Sequence, residues 1–453
     1  MNKLRRMKQY LQLLITISSL LYAVSSYAQE TGGGLEGRIT DVKGQPVHSA
    51  IITALHLPSG TRYTIATLPD GRYRIPGMRI GGPYTVTAAY AGMQKISREN
   101  IQIVLGGLQR LDLVLRAAEK QLEEIVVAAR KETKVNGAGR NINREQLEEM
   151  PSVNGSIQDI TRLVPQGSRD NSFASSNFRY NNVTIDGAVN NDAIGFSPSL
   201  GGITGTSGMP GSSTRTNPIS LEAIQDIQVY LAPYDVKIGN FTGGSINAVT
   251  RSGTNSIHGA VYAYGRNAAI TGKNNAGDGS RLPADFYEYR TGFRLGFPVI
   301  KDKAFFFTNM EITRRNDPVE LAAGSEDVAQ ILSRKDAQVI HDTLQRRYGF
   351  DPGTYGQYNS YSRSNKLFNR LDVNLGEKHQ LAIRNNTIFS SAINLERDQQ
   401  NFRFAGIAYR QDNNQSATVA ELKSRFGNRL SNSLVVGLEG SKASVGAHGH
   451  HVA

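Results

Sequence analysis

Two strand-like runs, Ile224-Gln225-Asp226-Ile227-Gln228-Val229-Tyr230-Leu231 and Gly243-Gly244-Ser245-Ile246-Asn247-Ala248-Val249-Thr250, lead into the turn Ser252-Gly253-Thr254-Asn255. His258-Gly259-Ala260-Val261-Tyr262-Ala263-Tyr264-Gly265-Arg266 follows it. The first run alternates as a strand does and breaks at Pro233, and the second is marked by glycine. Upstream of the turn the chain has the character of a small soluble domain. Downstream it turns into aromatic, two-sided strands separated by long polar links. Ile224–Arg266 is therefore a joint between two kinds of structure.

Downstream, the strand candidates are His258–Gly265, Tyr287–Phe297, Ala304–Thr313, Leu367–Leu375, Gln380–Phe389, Thr418–Phe426 and Leu434–Glu439. The links between them alternate long and short. Arg266–Phe286, Arg314–Lys366 and Ser390–Ala417 are long, whereas Pro298–Asp302, Gly376–Lys378 and Gly427–Arg429 are short. Tyr287, Tyr289, Thr291, Phe293, Leu295 and Phe297 share one face, opposite Glu288, Arg290, Gly292, Arg294 and Gly296. Leu371, Val373 and Leu375 likewise oppose Arg370, Asp372 and Asn374. A soluble sandwich also alternates, but it does not impose long and short links in turn. That rhythm belongs to barrels with short turns on one side of a membrane and long loops on the other.

Seven strands cannot close such a barrel, since bacterial single-chain barrels carry even numbers and about 22 strands are needed to enclose a plug. An open sheet in lipid leaves backbone groups unpaired at several kcal/mol each. Residues 255–440 are thus expected to be an incomplete antiparallel transmembrane barrel, and 441–453 an atypical tail with three histidines and no strand pattern. The expectation is a truncated or frameshifted product, or a fragment of a longer chain.

At the other end, a basic start from Met1 to Lys8 precedes the apolar run Leu11–Val24, and Ser26-Tyr27-Ala28 offers small residues for cleavage between Ala28 and Gln29. The run falls short of the ~20 residues a spanning helix needs. Residues 1–28 are read as a signal peptide, so any membrane span of the mature chain must be made of strands. There is no cysteine among the 453 residues, which excludes disulfides, thiolate metal sites and lipidation of an amino-terminal cysteine. Of the formal charge of +12, Lys3, Arg5, Arg6 and Lys8 carry four. The remainder forms no basic stripe of the sort nucleic acid requires.

Between Leu35 and Leu115, turn signals at Asp41–Pro46, Pro58–Gly60, Asp70-Gly71 and Gly81–Pro83 separate short alternating strands. The strand candidates include Ala50–Leu57, Arg72–Ile75, Tyr84–Ala89 and Leu108–Leu115, a β-sandwich pattern. Gly37–Asp41, Gly44–Val47, Ala50, Thr67, Asp70–Ile75 and Gly82–Val86 resemble the carboxypeptidase regulatory-like domain, a transthyretin-like fold. Despite that name, no His-Glu-x-x-His is present. Residues 29–118 are expected to be an accessory module, with no catalytic residue, cofactor or metal anywhere in the chain.

Lys131–Thr254 contains short helices at Arg144–Pro151 and Ser156–Pro165, each stopped by proline, and a strand Phe178–Gly187 that ends in an Asp-Gly turn. The glycines at 202, 205, 208 and 211 recur every third residue, but the run is too short and too poor in proline for collagen, so a loop is the better reading. Together with Leu221–Leu231, Tyr234-Asp235-Val236 and Phe241–Gly244, the region resembles the α+β plug of TonB-dependent receptors, in particular the Oar-like ones with an amino-terminal regulatory-like domain. The resemblance marks Arg179, Asn181, Asn182, Ile185, Asp186 and Gly187 as the plug motif, within a plug at 131–254.

The intervening stretch 119–130 contains Leu122, Glu123, Glu124, Ile125, Val126 and Val127. By itself it reads equally well as a last sandwich strand. Beside a plug, the resemblance implies a TonB box, which pairs by strand addition with a periplasmic energy-coupling protein of the TonB type. The implied partners are that protein, outer-membrane lipid and an unidentified extracellular substrate, such as a siderophore, glycan or peptide. The implied function is uptake across the outer membrane. Adhesion or signalling on the same scaffold, and glycan binding by the front sandwich alone, are the competing readings.

Overall fold

The computed structural model describes residues 31–117, 133–134, 138–150, 157–161, 164, 166–167, 173, 181–190, 214–232, 243–271, 286–319, 322–324, 332–395, 397, 401–427 and 430–447. The expected signal peptide with its Ala28–Gln29 junction, the stretch Leu122–Val127, the glycine run 202–211 and Arg179 lie outside them.

The front module is a two-sheet sandwich. Its strands are β1 (Gly33–Asp41), β2 (Ile51–His56), β3 (Thr61–Ala66), β4 (Arg72–Met78), β5 (Gly81–Ala89), β6 (Ile96–Ile103), β7 (Leu108–Arg110) and β8 (Leu113–Leu115), joined by β9 (Thr133–Lys134). One sheet runs β4-β1-β7-β9 with β8 also on β1, and the other runs β3-β2-β5-β6. Alternation places Leu35, Ile52, Tyr63, Tyr73, Ile75 and Tyr84 in a shared core. The expected single strand Leu108–Leu115 is broken at Leu111–Asp112. There the Asp112 carboxylate accepts from Arg38 N (2.8 Å), and Leu111 N bonds to Glu36 O (2.8 Å), splitting the pairing with β1 into two pieces.

The middle sheet has the order β10-β13-β14-β11-β12, from β10 (Ala138–Asn143), β11 (Asn182–Ile185), β12 (Ala188–Val189), β13 (Ile224–Ala232) and β14 (Ser245–Thr250). Helices α1 (Arg144–Glu149) and α2 (Ile157–Thr161) accompany it. Asn143 and Gln146 form a reciprocal capping box at the start of α1. Ile142, Ile157, Ile227, Val229 and Ile246 build the core, and Phe307 and Phe368 enter it from the third sheet.

That third sheet is a seven-stranded antiparallel meander in sequence order: β15 (His258–Asn267), β16 (Tyr287–Ile300), β17 (Ala304–Val319), β18 (Tyr358–Asn374), β19 (His379–Asn394), β20 (Tyr409–Phe426) and β21 (Leu430–Ala447). The long–short rhythm holds, with brief links at 301–303, 375–378 and 427–429. Strand lengths differ from expectation. Residues 314–319 and 358–366, expected in a long link, are strand, and that link also holds α4 (Arg334–Tyr348), which follows the short α3 (Ala268–Thr271). Ser441–Ala447, expected in a tail, continue β21 against Tyr409–Gln415. In these extensions both faces are polar, so alternation carries no signal while the backbone ladder continues unchanged.

The faces of this sheet are inverted relative to a soluble protein. Ser362, Ser364, Lys366, Arg370, Asp372, Arg384 and Glu421 are buried. Tyr289, Phe293, Leu367, Ile383, Phe389 (57 % exposed) and Leu438 (74 % exposed) face outward. Apolar surface outside and polar surface inside suits a wall whose solvent is lipid. On the long-link side, Arg397 donates to the carbonyls of Thr354 (3.0 Å), Gly356 (2.6 Å) and Arg403 (2.7 Å), tying the β17–β18 link to the β19–β20 link.

Two outcomes follow from this architecture. In the sandwich, His56 is buried, bonds Ser59 Oγ through Nδ1 (2.6 Å) and packs on Tyr84. Burial, reinforced by the Arg79 charge, holds its pKa down to about 3. An unfolded chain protonates this imidazole below about pH 6.5. The His56 contribution is therefore complete above about pH 6.5 and falls by about 1.4 kcal/mol per pH unit towards about pH 3. His56→Gln should flatten the dependence of sandwich Tm on pH between 7 and 4.5; an unchanged slope refutes the assignment. In the wall, Phe293→Arg puts a charge in lipid at a cost of about 2–4 kcal/mol, and should cut the folded fraction in a bilayer refolding assay. Refolding as efficient as the parent would contradict an outward-facing position 293.

Candidate functional site

The charges buried by the wall meet the plug sheet along a seam, and the Asp-Gly turn between β11 and β12 is its centre. Asp186 (φ 52°) and Gly187 (φ 80°) both take the left-handed conformation of a two-residue hairpin turn. The turn projects the Asp186 carboxylate, which is 1 % exposed, towards the wall. It accepts from Thr250 N (2.9 Å) and Thr250 Oγ1 (2.7 Å), joining the β11–β12 turn to the end of β14.

Arg370 of β18 and Arg384 of β19, register partners in the wall, converge on this carboxylate at 3.7 and 3.5 Å. Arg384 also donates to Asp186 O (2.8 Å) and pairs with Glu421. Arg370 grips Asp372 with two bonds of 2.8 Å and donates to Thr250 O (2.7 Å). Paired this closely, the buried charges satisfy one another; any of them left alone would be costly.

Three further clasps run along the seam. Ser220 Oγ donates to Glu311 (2.6 Å), which Lys366 also pairs (2.9 Å). Glu222 is shared by Arg144 of the plug (2.9 Å) and Arg294 of the wall. Arg215 bonds Asp317 (3.0 Å) and Asn394 (3.0 Å), while Thr214 and Thr216 bond Ser390 (2.8 Å) and Ser364 (2.9 Å). At the joint, Gly253 passes flush against the wall, where a Cβ would lie 2.4 Å from Phe306 O.

Of the residues expected to form the plug motif, Asn181 accepts from Gly244 N (2.9 Å), and Asn182 starts the parallel pairing of β11 with β14. Ile185 packs in the plug core. Asn181, Asn182, Ile185, Asp186 and Gly187 are thus brought together on one hairpin. Arg370, Asp372, Arg384 and Glu421 belong to the site without belonging to any motif; their one signal is charge on the face opposite the apolar residues. Among the described residues no group of three or more His, Asp or Glu could hold a metal ion.

This arrangement can hold the plug sheet by exchangeable polar contacts. Asp186→Ala leaves two arginines short of a partner and should weaken plug anchoring by about 3–5 kcal/mol, whereas the less buried Glu222→Ala should cost about 1–3 kcal/mol. Urea dependence of amide exchange in Ser245–Thr250 measures both, and equal small effects would remove Asp186 from the centre of the seam.

Parts of the chain are similar to known proteins. Residues 34–116 match the carboxypeptidase regulatory-like domain, and residues 249–329 match an outer membrane beta barrel domain. The chain is 25 % identical over 403 residues to the TonB-dependent transporter Oar of Myxococcus xanthus, covering 82 % of this chain and 34 % of that protein. It is 28 % identical over 191 residues to the probable TonB-dependent siderophore receptor PirA of Acinetobacter baumannii, covering 40 % and 24 % respectively. The crystal structure of the outer membrane transporter YddB from Escherichia coli overlaps 67 % of this chain and 38 % of its own, with 12 % identity and a TM-score of 0.44. The chain thus spans about a third or less of the curated relatives it matches. Over most of its length the chain is similar to the TonB-dependent transporter Oar, with a carboxypeptidase regulatory-like domain at 34–116 and an outer membrane beta barrel domain match at 249–329.

Proposed function

We propose that this chain is part of a TonB-dependent transporter that takes up a substrate too large for porins, of the siderophore, glycan or peptide class. The observation that carries the proposal is the polar seam. A plug held by apolar packing would lose about 25 cal/mol for every Å² exposed on moving. A plug held by hydrogen bonds exchanges them for bonds to water, at a net cost of about 0.5–1.5 kcal/mol each, or about 1.5–3 kcal/mol where a charged group takes part. Such a plug is stable at rest and movable when pulled.

Substrate meets the long-link side and the plug apex, and a TonB-type protein adds a strand to Leu122–Val127. Of the plug motif Arg179, Asn181, Asn182, Ile185, Asp186 and Gly187, the hairpin residues from Asn181 onward then serve as the fixed end of the seam that the pull must loosen. The relatives are transporters and receptors, and we assign no catalytic step to this chain.

Growth of a knockout on defined iron and carbon sources identifies the ligand. In cells carrying the full-length receptor, deleting Leu122–Val127 should abolish energy-dependent accumulation of that ligand while surface binding persists. Unimpaired accumulation sinks the coupling assignment. Binding without accumulation by the unmodified receptor would instead indicate adhesion or signalling.

A further inference from the structure

The front sandwich is more than a module hung ahead of the plug, because its contacts reach both plug and wall. Among the described residues, its wall contacts fall on the short-link side. Thr61 Oγ1 accepts from Asn374 Nδ2 (3.1 Å), and Tyr63 OH donates to Gln380 (3.4 Å) while its ring lies under the Arg425 guanidinium (4.6 Å). Thr31 donates to Glu421, the same carboxylate that Arg384 holds in the seam. On the plug side, Pro58 O accepts from Asn255 N (2.8 Å) at the joint, and Leu105 O accepts from Gln228 Nε2 (3.1 Å) of β13. Beside Leu105, Gly106 (φ 63°) sits so close to the plug that a Cβ would lie 2.7 Å from Gln228 Oε1.

Arg79, at the tip between β4 and β5, reaches plug and wall at once. Its guanidinium donates to Ser252 Oγ (2.9 Å) at the joint, pairs with Asp372 of the wall (3.6 Å) and lies over the Phe305 ring (5.7 Å). Ser252 in turn donates to Asp372 (2.8 Å), closing a triangle of sandwich, plug and wall. The backbone of Arg79 is held at both polar groups by tyrosines of the sandwich core: its N–H donates to Tyr63 OH (3.1 Å), and its carbonyl accepts from Tyr84 OH (2.7 Å). A tip braced in this way meets the seam already ordered, so little conformational entropy opposes docking.

From this geometry we infer that the regulatory-like sandwich is a lock: it bolts the plug to the wall from the short-link side, with Arg79 as the key, and must withdraw before the plug can shift. The chain path supports the same order of events. Ala117 bridges Met93, and Thr133–Lys134 pair with Leu108–Gln109, so both flanks of residues 118–132 rest on the sandwich. Given the transporter reading above, on which this step rests, a pull applied between those flanks reaches the sandwich before it reaches the plug.

These 453 residues contain no cysteine, so a pair introduced here has no native thiol competing within this part of the receptor. In the full-length receptor, Thr61→Cys with Asn374→Cys should be bridged by a short thiol–thiol cross-linker in intact outer membrane. Separately, Arg79→Ala should raise amide exchange in Ser245–Thr250 about tenfold or more and leave Ile51–His56, in the sandwich core, unchanged. That contrast separates undocking from unfolding of the sandwich. Bridging the cysteine pair in the Arg79→Ala background should restore the slow exchange. The lock is overturned if the pair does not bridge, if Arg79→Ala leaves exchange in Ser245–Thr250 unchanged, or if exchange stays fast after bridging. None of these readouts uses a substrate, so failure of the lock and failure of the transport reading are separate results.

Discussion

A peptide group in hydrocarbon has no water to bond, and each one left unpaired costs several kcal/mol. That constraint explains why the back half of this chain is a continuous ladder of long antiparallel strands. Because side chains alternate along a strand, giving one face to lipid gives the other face to the interior. The interior face is where Lys366, Arg370, Asp372, Arg384 and Glu421 collect. The wall therefore dictates the chemistry of whatever it surrounds, and the plug answers with Asp186, Arg215, Ser220 and Glu222.

Burying so many charges is expensive unless each finds a partner. The seam meets that condition by sharing: Asp186 with two arginines, Asp372 with Arg370 and Arg79, Glu421 with Arg384 and Lys423. Shared partners make the contacts cooperative, so loss of one loosens several. Among the described residues, the apolar core of the plug is closed from the wall side by Phe307 and Phe368.

Much of this was legible in the sequence wherever a physical pattern repeats locally. Alternation in Tyr287–Phe297 and the rhythm of long and short links located all seven wall strands. The Asp-Gly turn at 186–187 and the proline-stopped helix at Arg144 also stood where their residue types imply. What escaped was structure without local contrast. Tyr358–Lys366 and Tyr409–Ala417 are polar on both faces and read as loop, yet their backbones pair throughout. Partner choice was also hidden, because Arg384 meets a carbonyl 198 positions away and no spacing rule spans that distance. Arg79 was less visible still, an isolated arginine in a turn whose contacts at Ser252 and Asp372 lie far along the chain.

The Arg397 staple couples the β17–β18 link to the β19–β20 link. Because its five N–H groups form a rigid fork, and three of its nitrogens are committed to carbonyls on both links, neither link can swing independently. Tyr355 and Phe404 pack edge-on across the same gap, so α4 and the Phe402–Ile407 segment form one stiff jaw in place of two loose fingers. At that side of the sheet the two links are therefore joined into one body through Arg397, Tyr355 and Phe404.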